Sequence, residues 1–135
     1  MENKAFTLIE LLVVIAIVGV LSSIILFSVT QYINKGKDAS TVGNLVVLVT
    51  TGEVYYDHNS TTPNSYEGFC DTATVVNSLA AISSPKKYCK VRADNNAWVA
   101  CAQLTDVTKA YCVDSRGVKK EIDNSYCSQN ITVCP

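Results

Sequence analysis

Glu10 is a lone carboxylate near the start of an apolar run that extends from Phe6 to Val29. Leu11 to Leu21 contains no polar side chain, and Ser22, Ser23 and Ser28 are the only ones from there to Val29. A charge held in hydrocarbon costs about 2.5–3.5 kcal/mol on insertion scales. Such a residue needs a counter-charge, or it must snorkel to the interface. Six cysteines form the second set with chemical potential: Cys70, Cys89, Cys101, Cys112, Cys127 and Cys134. Their even number, in a small domain beyond an apolar segment, favours disulfides and an oxidising compartment. No two are as close as the Cys-x-x-Cys pairs of metal sites.

The other reactive side chains do not assemble into a catalytic pattern. His58 is the only histidine, and it is far in sequence from any cysteine. No Ser/His/Asp or Cys/His arrangement is evident, so no enzyme, cofactor or metal is expected. Asp94-Asn95-Asn96 and Asp114 offer oxygens of the kind Ca²⁺ takes, but turn chemistry accounts for them. Asn59-Ser60-Thr61 and Asn130-Ile131-Thr132 match a glycosylation triplet that carries little weight by itself. Lys86, Lys87, Lys90 and Arg92 cluster, with Lys119 and Lys120 as a further pair. A solvated strand face is the preferred reading of these cations, and nucleic-acid binding is the weaker alternative. The formal net charge of −1 over 135 residues gives no global pull toward nucleic acid or acidic lipid.

Positioning Glu10 is the task of the apolar segment. As a helix, Phe6 to Val29 would run about 36 Å at 1.5 Å per residue, enough for a hydrocarbon core of about 30 Å. A cleaved secretory signal has a basic start and a shorter apolar core. This run is too long for that, and its start, Met-Glu-Asn-Lys, is barely basic. A simple membrane anchor leaves Glu10 without a reason.

The order of these residues resembles type IV pilin and pseudopilin precursors. The resemblance covers a short hydrophilic leader (Met1 to Ala5), Phe6-Thr7-Leu8-Ile9-Glu10, and about twenty apolar residues that follow. It implies that a prepilin peptidase cuts between Ala5 and Phe6 and methylates the new amino terminus at Phe6. It implies that Glu10 pairs with that terminus on a neighbouring subunit and sets the register between helices. It also implies the partners: identical or homologous filament subunits, the peptidase/methyltransferase, the membrane and an assembly platform. The implied location is the cytoplasmic membrane, single-pass with the N-terminus inside, and then a periplasmic or surface filament. Ala5 stands where the family usually has Gly, and the Pro that many members carry near Phe27 is absent. Any loosening of this helix would fall at Gly19 or Ser22-Ser23.

The remaining chain reads as a small α+β fold. Val42, Leu45, Val46, Val49 and Tyr56 keep helical spacing, which predicts one long helix from about Phe6 to about Tyr56. Val46 to Thr51 has strand-like composition, so a strand competes there. Gly36, Gly43 and Gly52 are candidate soft points. Asp57 to Gly68 is a loop. Asp71 to Ser83 suits a second helix capped by Asp71 or Thr72. Tyr88–Ala93, Trp98–Leu104 and Ala110–Asp114 read as strands, with a short fourth at Val118–Ile122. Tyr55-Tyr56-Asp57, Trp98–Leu104 and Tyr111–Gly117 also resemble pseudopilin-like chains. The expected organisation is a leader (1–5), a membrane or filament-core helix half (6–29), the second helix half (30–56) and an extracytoplasmic, disulfide-stabilised globular domain (57–135). Six cysteines allow fifteen connectivities. The pilin resemblance suggests Cys127 with Cys134, closing a C-terminal loop. Cys70, Cys89, Cys101 and Cys112 would then pair among themselves, with Cys89–Cys112 and Cys101–Cys112 both open.

Overall fold

A computed structural model of the chain describes residues 6–59 and 62–135. The expected leader, with Ala5, and Ser60-Thr61 of the first glycosylation triplet lie outside the described residues. The chain divides into two units, Met1–Asn34 and Lys35–Pro135. One helix, α1 (Leu8–His58), supplies the described secondary structure of the first unit and the opening element of the second.

In the first unit α1 runs without a break through Gly19 and Ser22-Ser23. Its apolar side chains point outward all round, and Phe6, Ile15 and Phe27 are 81%, 63% and 71% exposed. The few hydroxyls are turned onto the helix itself. Ser22 Oγ donates to Val18 O at 2.7 Å, Ser23 Oγ to Val20 O at 2.7 Å and Ser28 Oγ to Ile24 O at 3.2 Å. Each polar group is thus satisfied without water, as an apolar environment demands.

The second unit is a helix-on-sheet fold. After α1 come a single 3-10 turn (Phe69–Asp71), α2 (Ala73–Ala80), β1 (Lys87–Val91), β2 (Trp98–Gln103), β3 (Lys109–Asp114) and β4 (Lys119–Asp123). The strands form an antiparallel meander in the order β1-β2-β3-β4. Thr72 caps α2, its hydroxyl accepting from Val75 N. Gly117, with φ 77°, makes the left-handed step of the turn between β3 and β4.

Side chains alternate across β2, and both of its faces are buried. Trp98, Ala100 and Ala102, with Val113 of β3, meet Leu45, Leu48 and Val49 of α1 and Phe69, Val75 and Ile82 from the intervening segment. Thr41, Leu45, Leu48, Val49 and Gly52 form the buried stripe of α1 at helical spacing. That stripe decides the competition at Val46 to Thr51 for helix. The Thr50 and Thr51 hydroxyls both donate to Val47 O, at 3.0 and 2.9 Å. Asp38 fastens α1 to the β2–β3 connection, accepting from Thr105 N at 2.7 Å and Thr105 Oγ1 at 2.8 Å.

The opposite sheet face carries a second core that sequence reading did not foresee. Val99, Cys101, Ala110, Cys112 and Ile122 pack there against Cys127, Ile131 and Cys134. Residues after Asp123 contain no helix or strand, yet they cover this face. The bridges explain how. They are Cys70–Cys89, Cys101–Cys127 and Cys112–Cys134, with sequence separations of 19, 26 and 22. The expected Cys127–Cys134 loop is therefore incorrect, as are the options Cys89–Cys112 and Cys101–Cys112. A local loop would leave the tail unattached. The observed pairs nail it to the two central strands.

Gly52 also departs from expectation. A Cβ there would lie 2.6 Å from Trp98 Nε1 and 2.9 Å from Trp98 Cε2, whereas at Gly36 and Gly43 it would meet nothing within 4 Å. Gly52 is a close-approach position, not a soft point. Gly52→Ala should destabilise the second unit by about 1–3 kcal/mol, the usual cost of overpacking. Gly43→Ala should be neutral or stabilising by up to about 1 kcal/mol. Denaturant unfolding of the oxidised chain, followed by Trp98 fluorescence, would separate the two.

Candidate functional site: the amino-terminal turn of α1

Thr7 and Glu10 form a reciprocal pair at the start of α1. Thr7 N and Thr7 Oγ1 donate to Glu10 Oε2 at 2.9 and 2.8 Å, and Glu10 N donates to Thr7 Oγ1 at 3.3 Å. This is a capping box, in which residue and helix end satisfy each other's orphan donors. Its signature, Thr-x-x-Glu before an apolar run, was present in the sequence but was overshadowed by the charge. Among the described residues, Oε1 accepts no hydrogen bond. Phe6, Ile9, Val13 and Val14 share a shallow groove with Glu10, so the carboxylate is fixed within an apolar strip. Phe6 stands just before the helix, with its ring exposed.

The other expected site residues are dispersed, and most are already engaged. Lys86 Nζ donates to Asn124 O at 2.7 Å and Lys87 Nζ to Ile82 O at 2.6 Å. Arg92 pairs with Asp94 at 2.6 Å, which holds the Asp94 carboxyl at about 2. Asp94 Oδ1 also accepts from Asn96 N at 3.1 Å. Three of the four clustered cations thus serve the fold's own carbonyls and turns. His58 Nδ1 lies 3.2 Å from Val54 O in the last turn of α1. Among the described residues no three His, Cys, Asp or Glu side chains gather as metal ligands would.

Asp114 proves to be structural. It is 1% exposed. Its Oδ2 accepts from Arg116 Nε at 3.0 Å, Arg116 Nη2 at 2.5 Å and Cys134 N at 3.2 Å, and its Oδ1 accepts from Arg116 N at 3.0 Å. Arg116 Nη2 also donates to Cys134 O at 3.0 Å. Carboxylate and guanidinium together clamp the end of the chain beside the Cys112–Cys134 bridge. A cleft of about 410 Å³ adjoins this clamp, lined by Glu53, Tyr56, Tyr66, Arg92 and Trp98 among others. Both of its guanidinium groups are already paired.

Residues 1–26 match the prokaryotic N-terminal methylation motif. Over 43 residues the chain is 50% identical to fimbrial protein Q of Moraxella bovis, a match that takes in 32% of this chain and 27% of that protein. The chain therefore matches about a quarter of that relative's length. No solved structure matches. The methylation motif and the fimbrial similarity support a type IV pilin-like precursor. The long apolar helix, the four-stranded sheet and the three disulfides form an α+β fold of the pilin-like kind.

Two outcomes follow from these contacts. Thr7→Ala removes the cap and should cost the first turn about 1 kcal/mol, read as faster amide hydrogen exchange at Leu8 to Leu11 in micelles. At Asp114, burial pushes the carboxyl up, but the hydrogen bonds from Arg116 and Cys134 N outweigh it and hold the group below the ordinary range. Its contribution is therefore complete above the unfolded value of about 3.9 and is lost as pH falls below it. Asp114→Asn should lower stability at pH 7 by about 1–3 kcal/mol and flatten the acid decline below about pH 4, measured by denaturant midpoints across pH.

Proposed function

We propose that this chain is a structural subunit of a helical filament of the type IV pilus or type II secretion kind. It is made as a precursor, cut between Ala5 and Phe6, and methylated at Phe6. The observation that carries this reading is the first unit. Its helix is long and apolar enough to cross a membrane, it leaves its side chains uncovered in this unit, and its first turns lie within the methylation motif at residues 1–26.

An apolar surface of that length has two stable settings, lipid and the side chains of like helices. In the first, residues 6–29 anchor the precursor in the cytoplasmic membrane, with the globular residues 57–135 outside. In the second, the helices of many copies bury one another, joined by residues 30–56 to the outer domains. Glu10 makes the second setting specific. Cleavage would create a cationic amine at Phe6. A carboxylate and an amine attract strongly in low dielectric, and each relieves the other's desolvation. Thr7 occupies one carboxylate oxygen and leaves the other available to a neighbour's terminus. Such a buried pair would fix axial register, as a buried polar residue does in a coiled coil.

Mass spectrometry of the chain from native cells should show methylated Phe6 as its first residue. Glu10→Ala should still enter the membrane but assemble little or no filament, scored by shearing and electron microscopy. Retention of residues 1–5 would indicate a membrane-anchored domain that does not assemble. Normal filaments from Glu10→Ala would remove the register role alone.

A further inference from the structure

The three bridges differ in chain order. Cys70–Cys89 joins consecutive cysteines, whereas Cys101–Cys127 and Cys112–Cys134 interleave. An oxidant that pairs cysteines in order of emergence makes Cys70–Cys89, Cys101–Cys112 and Cys127–Cys134. The first is native and the other two are not.

Two physical features favour the wrong pairs. The first is loop closure. Cys101 and Cys112 are about 11 residues apart and Cys127 and Cys134 about 7, against 26 and 22 in the native bridges. With effective concentration falling as the −3/2 power of loop length, the short loops are favoured roughly 4-fold and 6-fold. The second is the β2–β3 hairpin, which sets Cys101 directly opposite Cys112. Ser115 N donates to Trp98 O and Leu104 N donates to Lys109 O. The even-numbered positions of β2 are therefore the hydrogen-bonded ones, and Cys101–Cys112 is a non-hydrogen-bonded pair. Opposed Cα atoms at such a pair lie about 4.5 Å apart, within the range a disulfide accepts. A hairpin formed before the tail arrives holds the wrong thiols together.

We propose that this chain is a substrate of a disulfide isomerase: a dithiol protein that acts after a disulfide-forming oxidase. The isomerase thiolate attacks Cys112 Sγ of the Cys101–Cys112 bridge, forming a mixed disulfide and releasing the Cys101 thiolate. Cys101 attacks Cys127 Sγ of the Cys127–Cys134 bridge, which forms Cys101–Cys127 and releases the Cys134 thiolate. Cys134 then attacks Cys112 Sγ of the mixed disulfide, forming Cys112–Cys134 and returning the isomerase thiolate. Two disulfides enter and two leave, with no net oxidation. In the finished fold all four sulfur-bearing residues are buried, so exchange precedes docking of the tail. The isomerase therefore meets a strand face on which Val99, Ala110 and Ile122 are still uncovered, and an apolar cleft is the surface suited to hold it. The proposal rests on the connectivity and on an oxidising location for residues 57–135. It does not require filament assembly.

Purified full chain in detergent micelles, reduced and unfolded, would be reoxidised by a disulfide-forming oxidase with or without a disulfide isomerase. Mass spectrometry of non-reduced peptides would map the bridges. With oxidase alone, Cys101–Cys112 and Cys127–Cys134 should predominate, and isomerase should raise the native pairs several-fold. The paired variant Cys101→Ser with Cys127→Ser leaves only Cys70–Cys89 and Cys112–Cys134, both in chain order. It should reach them without isomerase, and so should Cys112→Ser with Cys134→Ser reach Cys70–Cys89 and Cys101–Cys127. Full native pairing from oxidase alone, or continued isomerase dependence in both paired variants, would overturn the proposal. These readouts involve purified chain, so they stand apart from whether the chain builds a filament.

Discussion

Strand β2 must be buried on both faces, and the second unit is organised around meeting that requirement. A four-stranded antiparallel meander ordinarily leaves one face to water. Here both sets of β2 are apolar or sulfur-bearing up to the half-buried Gln103 at its end: Trp98, Ala100 and Ala102 on one side, Val99 and Cys101 on the other. The helix covers the first set. The small Ala100 and Ala102 and the bare backbone at Gly52 let it approach closely, with the Trp98 indole filling the space beneath. The second set has no helix to cover it. A segment without regular structure does so instead, and such a segment has few backbone hydrogen bonds of its own to hold it in place. Its attachment comes from two bridges, from the Asp114–Arg116 clamp at Cys134, and at its start from the hydrogen bonds of Asn124 to Lys86, Val107 and Thr108.

The first unit follows the opposite logic. It displays its apolar surface and hides its polar groups. The serines bond to the preceding turn, and Glu10 bonds to Thr7. The capping box and the register pair are not rival accounts of Glu10. A capped carboxylate has a fixed rotamer, so less entropy would remain to be lost on pairing with the proposed second partner. The same Thr7 contacts that stabilise the helix end in one chain would pre-orient the charge for a neighbour.

Much of this architecture was legible in the sequence because it rests on periodicity. The long helix is written in the helical spacing of Val42, Leu45, Val46, Val49 and Tyr56, of which Leu45 and Val49 fall in the buried stripe and the other three lie at its half-buried margin. The strands lie within two residues of their expected bounds, because alternation and turn residues such as Asn95 and Gly117 are local signals. The β propensity of Val46 to Thr51 was the misleading local cue, and packing against Trp98 overrode it. Gly52 was misread for the same reason. A helical glycine looks like weakness until the side chain above it is known. Glu10 was legible as a charge out of place, whereas its partnership with Thr7 required attention to helix capping rather than to the membrane. The disulfide connectivity was not legible at all, since bridge choice depends on which strand face each cysteine occupies after folding.

The interleaved bridges also explain why a short C-terminal loop would serve this chain poorly. A Cys127–Cys134 bridge constrains a few residues of the unfolded chain and touches neither central strand. Each of the two interleaved bridges closes a loop of more than twenty residues, a class worth about 3–4 kcal/mol in the chain-entropy model. Each also ends on a strand that cannot remain exposed. Without them Val99, Ala110 and Ile122 would present an apolar sheet face to solvent, a hazard for a subunit proposed to exist at high local concentration beside its own copies. Non-local pairing is harder to reach than local pairing, but it secures the one layer that the secondary structure does not hold.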